Sequence, residues 1–201
     1  MPTDDSLGVE INEELDQHFL TDPLKLGRII EAAGIRPTDH VVEVGSGIGT
    51  VAECVPSCRS LTTVEYDTNL TAVLAKRVPH ATVIQADALA VLPTLAVDVL
   101  LSNLPAYLTE PLVALVPQLP FRTALLTVPN VDELAGLIGR FTVELVTVLA
   151  PDDFRPRQRA HAEVARVVPI GYPVGSPAWR GVAHLEAQGG STRSRSTRPA
   201  P

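Results

Sequence analysis

The chain has 201 residues, 45% of them apolar, which suffices for one domain with a sizeable core and excludes wholesale disorder. Its net charge is −7, and residues 1–188 carry 13 basic against 23 acidic groups, a poor balance for generic contact with nucleic acid or anionic lipid. No apolar run is long enough for a membrane helix, the acidic Met1-Pro-Thr-Asp-Asp start lacks signal-peptide features, and two cysteines exclude a disulfide framework, so a cytoplasmic chain is expected.

Residues 1–16 read as polar and irregular. Thr21-Asp22-Pro23 starts a helix, with Leu24, Leu26, Ile29 and Ile30 as its apolar stripe and Gly34 as its stop. His40-Val-Val-Glu-Val44 is a buried strand that runs into the glycine turn Gly45-Ser-Gly-Ile-Gly49, followed by a helix carrying Cys54 and Cys58. Further strands are expected over 61–65, 81–85, 97–102, 122–128, 143–149 and 162–168, the last two as an antiparallel pair. Helices are expected over 67–77, from Thr109, and over 131–138. Trp179 is expected to pack the C-terminal segment onto the sheet. Residues 189–201 contain only Gly, Ser, Thr, Arg, Pro and Ala and read as a disordered tail, leaving 1–188 as the domain. Strands alternating with helices predict an α/β fold: a mostly parallel seven-stranded sheet covered on both faces, with ligands at the carboxyl ends of the strands.

Three strand ends then matter. The turn Gly45, Ser46, Gly47 lets a backbone approach a ligand closely and leaves N–H groups free. Glu65, 20 residues after Gly45 and followed by Tyr66, can accept both hydroxyl hydrogens of a ribose. Asp87, followed by Ala88, can accept from an adenine amino group. A nucleoside-containing cofactor fits this set. A dinucleotide site needs glycine or alanine where Thr50 stands, which disfavours NAD and an oxidoreductase. The spacing Gly45, Gly47, Gly49 instead resembles the first motif of methyltransferases that use S-adenosylmethionine (SAM).

The segment Ser102-Asn103-Leu104-Pro105-Ala106-Tyr107 makes the resemblance specific. It is similar to the Asn-Leu-Pro-Tyr motif of the ribosomal RNA adenine dimethyltransferase family. Gln17-His18-Phe19-Leu20 resembles that family's N-terminal signature, which closes over the cofactor. Phe154-Arg-Pro156 and Val164–Pro169 resemble its closing hairpin. The resemblance spans about residues 14–170 and implies a Rossmann-like fold with SAM as cofactor. It implies cofactor contacts by Gln17, His18 and Asn103 besides the three strand ends, and no metal. Asn103 and the Leu104 carbonyl would accept from the reacting amine, with Pro105 stiffening the turn and Tyr107 nearby.

The sequence departs from the family in ways that bear on the acceptor. Ala106 stands where an aromatic ring stacks on the base, and Tyr107, one place late, is expected to restore that stacking only if the turn rotates, which Pro105 resists. The stretch Leu125–Asn130 is apolar where the family is basic. About 30 residues follow Pro169, too few for the family's C-terminal helical domain. These features and the acidic body favour a small or medium-sized acceptor over RNA. An RNA adenine methyltransferase and a non-catalytic SAM-binding module are the alternatives. Arg155, Arg157, Arg159 and His161 read as an exposed loop, though one able to bind an anion or supply a base. Cys54 and Cys58 read as small packed side chains. The oligomeric state is not legible.

Overall fold

The computed structural model describes residues 3–4 and 8–171. The expected tail, the domain limit at 188 and the packing of Trp179 lie outside them. Five strands run parallel: β4 (His40–Val44), β5 (Ser60–Glu65), β6 (Thr82–Gln85), β7 (Val99–Ser102) and β8 (Thr123–Val128). With β9 (Phe141–Leu149) and β11 (Ala162–Pro169) they form one seven-stranded sheet of order β6-β5-β4-β7-β8-β11-β9, in which β11 alone runs against the rest. This is the expected architecture, antiparallel pair included.

Period-two alternation builds a core on each side of the sheet. Val42, Leu100 and Leu126 point to one face and pack with Ala88 of α3 (Ala88–Val91) and Leu112 of α4 (Thr109–Leu115). Val41, Leu101 and Leu125 point to the other and pack with Leu26 and Ile29 of α1 (Pro23–Ala33) and Leu74 of α2 (Thr68–Arg77). Helix α1 begins as expected: Asp22 accepts the Lys25 N–H at 2.9 Å, Pro23 occupies the first turn, and Gly34 caps the end.

Three expectations fail for local reasons. The helix after the glycine turn is only a 3-10 turn over Ala52–Cys54. The next residue, Val55, is extended because Pro56 follows, and a residue before proline is driven out of the helical region. Residues 131–137 are likewise 3-10 rather than α-helical. The first 16 residues are not irregular throughout. A hairpin pairs β1 (Thr3–Asp4) with β2 (Val9–Glu10), and Val9 and Ile11 join Phe19, Ile48 and Leu70 in a small separate core. That core fastens the N-terminal segment to the glycine turn. The segment is also held by β3 (Phe19–Leu20), which pairs with β10 (Phe154–Arg155). The two ends of the resemblance therefore meet. No helix among the described residues is long and apolar enough to cross a membrane.

Candidate active site

The carboxyl ends of β4 to β8, the loop before β11 and the N-terminal segment enclose a cleft of about 650 Å³. Every residue expected in the site lies on its wall. The fold places them in order across the sheet: Asp87 and Ala88 after β6, Glu65 and Tyr66 after β5, the glycine turn after β4, and Asn103 to Tyr107 after β7.

Gly45 and Gly47 each have left-handed backbone, with φ of +70° and +54°. Neither has room for a side chain. A Cβ on Gly45 would lie 2.8 Å from the Asn103 carbonyl oxygen and 2.9 Å from Leu104 Cδ2. One on Gly47 would lie 2.7 Å from the Phe19 ring. The turn is thus the point where the N-terminal signature, the glycine motif and the Asn103 segment come into contact.

Glu65 is buried, and both carboxylate oxygens are engaged: Oε2 accepts the Gly47 N–H at 2.7 Å and Oε1 the Asp67 N–H at 2.8 Å. Burial raises its pKa, opposed by the N–H groups of Asp67, Gly47 and Tyr66. Each oxygen retains a further lone pair for a ribose hydroxyl. Asp87 is exposed and caps α3 through Oδ1, which accepts the Leu89 N–H at 2.9 Å. Gln17 is a latch: Nε2 donates to Asp67 Oδ2 at 2.7 Å and Oε1 accepts the Asn12 N–H at 2.8 Å. His18 Nδ1 donates to the Pro156 carbonyl at 2.8 Å. Both residues hold the N-terminal segment over the cleft. Ser46 donates to the Glu43 carbonyl at 3.2 Å, so its hydroxyl serves the turn itself.

The Asn103 N–H donates to the Val44 carbonyl at 3.2 Å, which fixes the backbone of the turn independently of its side chain. A 3-10 turn over Ala106–Leu108, closed by the Leu108 N–H donating to the Pro105 carbonyl at 2.9 Å, puts both Ala106 and Tyr107 on the cleft wall. Tyr107 is 61% exposed, so its ring is free to meet a ligand.

The loop before β11 is exposed at Arg155, Arg157, Arg159 and His161, as expected. Arg155 and Arg157 are occupied locally, by the Asp152 and Phe154 carbonyls and by the Asp152 carboxylate. Arg159 and His161 instead line the cleft. Arg159 is the one Lys or Arg on that wall among the described residues, while the carboxyls of Glu43, Glu65 and Asp87 sit at the β4–β6 end. Sequence reasoning missed Glu43 as a site residue. Its signal was a lone charge inside a β-branched run. Cys54 and Cys58 carry thiols whose pKa values burial raises, and no cluster of three or more metal-binding side chains occurs among the described residues.

The residues present fit SAM. Gly45 and Gly47 bring the backbone of the turn to the cleft wall, and Glu65 and Asp87 carry carboxylate oxygens there that would accept from a ribose and an adenine. Glu65→Gln preserves size but weakens a charge-assisted ribose contact. It is expected to raise the Kd for SAM by about 10–100-fold in isothermal titration. An unchanged Kd would remove Glu65 from the site.

Residues 8–133 match the family model described as ribosomal RNA adenine dimethylase. The chain is 30% identical over 181 residues to ribosomal RNA small subunit methyltransferase A of Leptothrix cholodnii, covering 78% of this chain and 67% of that protein. It is 32% identical over 184 residues to the probable ribosomal RNA small subunit methyltransferase A of Methanothermobacter thermautotrophicus, covering 82% and 67%. Among solved structures, a dimethyladenosine transferase from Plasmodium falciparum superposes with a TM-score of 0.68 at 22% identity, over 75% of this chain and 63% of that one. The 23S rRNA methyltransferase ErmE superposes with a TM-score of 0.66 at 21% identity, over 86% and 80%. The chain thus spans about two thirds of the length of the two curated relatives. With the match covering residues 8–133 and the site motifs assembled in one cleft, this chain belongs to the ribosomal RNA adenine dimethylase family.

Proposed function

We propose that this SAM-dependent methyltransferase methylates the exocyclic amine of adenine in RNA. The observation that carries the reading is the Asn103-Leu104-Pro105 turn, packed directly on Gly45 at the centre of the cleft. When bound, SAM supplies an electrophilic methyl group on a sulfonium. The protein's task is then to position an amine, since an in-line displacement needs alignment above all. Asn103 and the Leu104 carbonyl accept from the amine's hydrogens and favour a nitrogen whose lone pair is free to attack. Tyr107 offers an aromatic face to the base. Arg159, at the end of the cleft beyond β8, offers a cation to a phosphate.

The relatives named above are named for ribosomal RNA or adenosine, which favours RNA over the smaller acceptor expected from the sequence. A smaller acceptor has one observation of its own, Ala106, which leaves an opening where the family's aromatic stands. Methyl transfer from labelled SAM to adenosine, adenosine 5′-monophosphate and an adenine-containing oligoribonucleotide tests the two. The RNA reading expects the oligonucleotide to be the best acceptor. Arg159→Ala should then raise its KM and reduce the salt slope of binding by about one. Ala106→Tyr should leave RNA methylation intact or improve it. Inactivity toward the oligonucleotide, with transfer to a small molecule that Ala106→Tyr abolishes, would establish the smaller acceptor.

A further inference from the structure

Glu43 has no role in the chemistry described so far, yet it is the most anomalous group in the cleft. It lies on β4, two residues before Gly45, with 1% of its surface exposed. Its Oε2 has no hydrogen-bond partner among the described residues. The groups acting on it are the Ser46 side chain, the Ala52 N–H and the Glu65 carboxylate. Cys54, on the 3-10 turn, senses its charge. The other residues that share a small side pocket with it are uncharged: Ser102 and Asn103 at the end of β7, Thr127 on β8, Leu20 on β3 and Ile29 on α1. No Arg, Lys or His is among the groups acting on it, and its charged cleft neighbour is another acid. Burial, reinforced by Glu65, pushes its pKa up to about 8, so in the free protein the carboxyl is mostly neutral at pH 7.

A buried acid without a cation is costly to ionise and is retained here beside the turn that cradles the cofactor. The reaction brings a cation to that turn. SAM and its demethylated product, S-adenosylhomocysteine, share an α-ammonium group, and SAM alone carries a permanent sulfonium charge. We propose that Glu43, buried on the cleft wall with Oε2 unpartnered, is the charge partner of the sulfonium, giving up its proton when SAM binds and taking one back when the methyl group leaves. The inference rests on the reading of the cleft as a SAM site. An opposite charge within about 4–6 Å lowers a carboxyl's pKa by about 1–3, which carries Glu43 across neutral pH. The proton balance closes. SAM binding releases one proton from Glu43 to solvent. In the transfer, the sulfur–methyl bond breaks with its electron pair going to sulfur, and the nitrogen–methyl bond forms. One proton leaves the nitrogen and one returns to Glu43. Net proton release therefore falls at cofactor binding rather than at methyl transfer. The same charge makes the cleft prefer substrate cofactor to product.

Isothermal titration of the native protein at pH 7, in phosphate and in Tris, counts the protons exchanged. Release of up to about one proton with SAM and near none with S-adenosylhomocysteine is expected. Glu43→Gln, nearly isosteric, should abolish the SAM-linked release. It should also raise the Kd for SAM about tenfold while leaving that for S-adenosylhomocysteine within about twofold. A melting curve establishes that the variant is folded. Should it not fold, the native protein still decides: from pH 6 to 7 the Kd for SAM should fall several-fold and that for S-adenosylhomocysteine should stay flat. Equal proton release with both ligands, release that persists in Glu43→Gln, or parallel pH profiles would overturn the proposal. Binding of neither ligand would instead refute the SAM site itself.

Discussion

Asn103→Ala is expected to lower kcat by about 10²–10³-fold while changing the Kd for SAM by less than about threefold. The asymmetry follows from the two ways in which Asn103 is used. Its N–H donates to the Val44 carbonyl at 3.2 Å and its own carbonyl packs on Gly45, and alanine retains both. Only the side-chain amide is lost. That group is half-buried on the cleft wall, so its removal leaves no core cavity. Under the proposed function, what disappears is an acceptor for the reacting amine, which matters most as the nitrogen becomes tetrahedral. Single-turnover rates beside equilibrium titration separate the two quantities. A kcat within a few-fold of native would refute the amine mechanism and turn attention to Tyr107 or His161 as a base for a different acceptor atom.

Gly45→Ala should be more damaging still, because it strikes cofactor and acceptor together. Left-handed backbone costs an alanine about 1–2 kcal/mol. The collision adds to this, since the Asn103 carbonyl at 2.8 Å is backbone and cannot swing aside. Either the glycine turn or the Asn103 turn must move. The expected result is a Kd for SAM raised by about 100-fold or more, together with a lower kcat. Gly139→Ala is the control. It has φ of +97° and open space at its Cβ, so it incurs strain without collision and should leave cofactor binding unchanged. Equal effects of the two substitutions on SAM affinity would show that the close approach of Gly45 to Asn103 is unimportant.

Much of this site was legible because its parts lie where a parallel sheet puts them. The runs 40–44, 61–65 and 97–102, rich in Val, Leu and Thr, announce buried strands, and the residues that follow them, Gly45, Tyr66 and Asn103, line the cleft. Residues whose role depends on longer-range topology were not legible. Arg159 and His161 reach the cleft only because β11 returns antiparallel beside β8, with Glu163 opposite Val128. A local reading of that segment shows an exposed basic loop able to bind an anion, but not which of its members face the cleft. Tyr107 was assigned to the site, but the 3-10 turn that brings it there was not foreseen. Val9 and Ile11 are two apolar residues in a polar stretch, too short a pattern to reveal the small core they form with Phe19, Ile48 and Leu70. Glu43 was read as one more residue of a strand. A single acid in a run that is otherwise buried and apolar is itself the anomaly that points to a site.

Transfer of the methyl group to an exocyclic amine held by the Asn103 turn is the expected reaction. It is tested most directly by finding the methylated atom. The native protein is incubated with SAM labelled in its methyl group and an adenine-containing RNA, the RNA is digested to nucleosides, and the label is located by mass spectrometry. The expected result is label on N6 of adenosine, as one or two methyl groups, that disappears with Asn103→Ala. Label on a carbon, an oxygen or a ring nitrogen, or N6 label that forms at the native rate in Asn103→Ala, would contradict it.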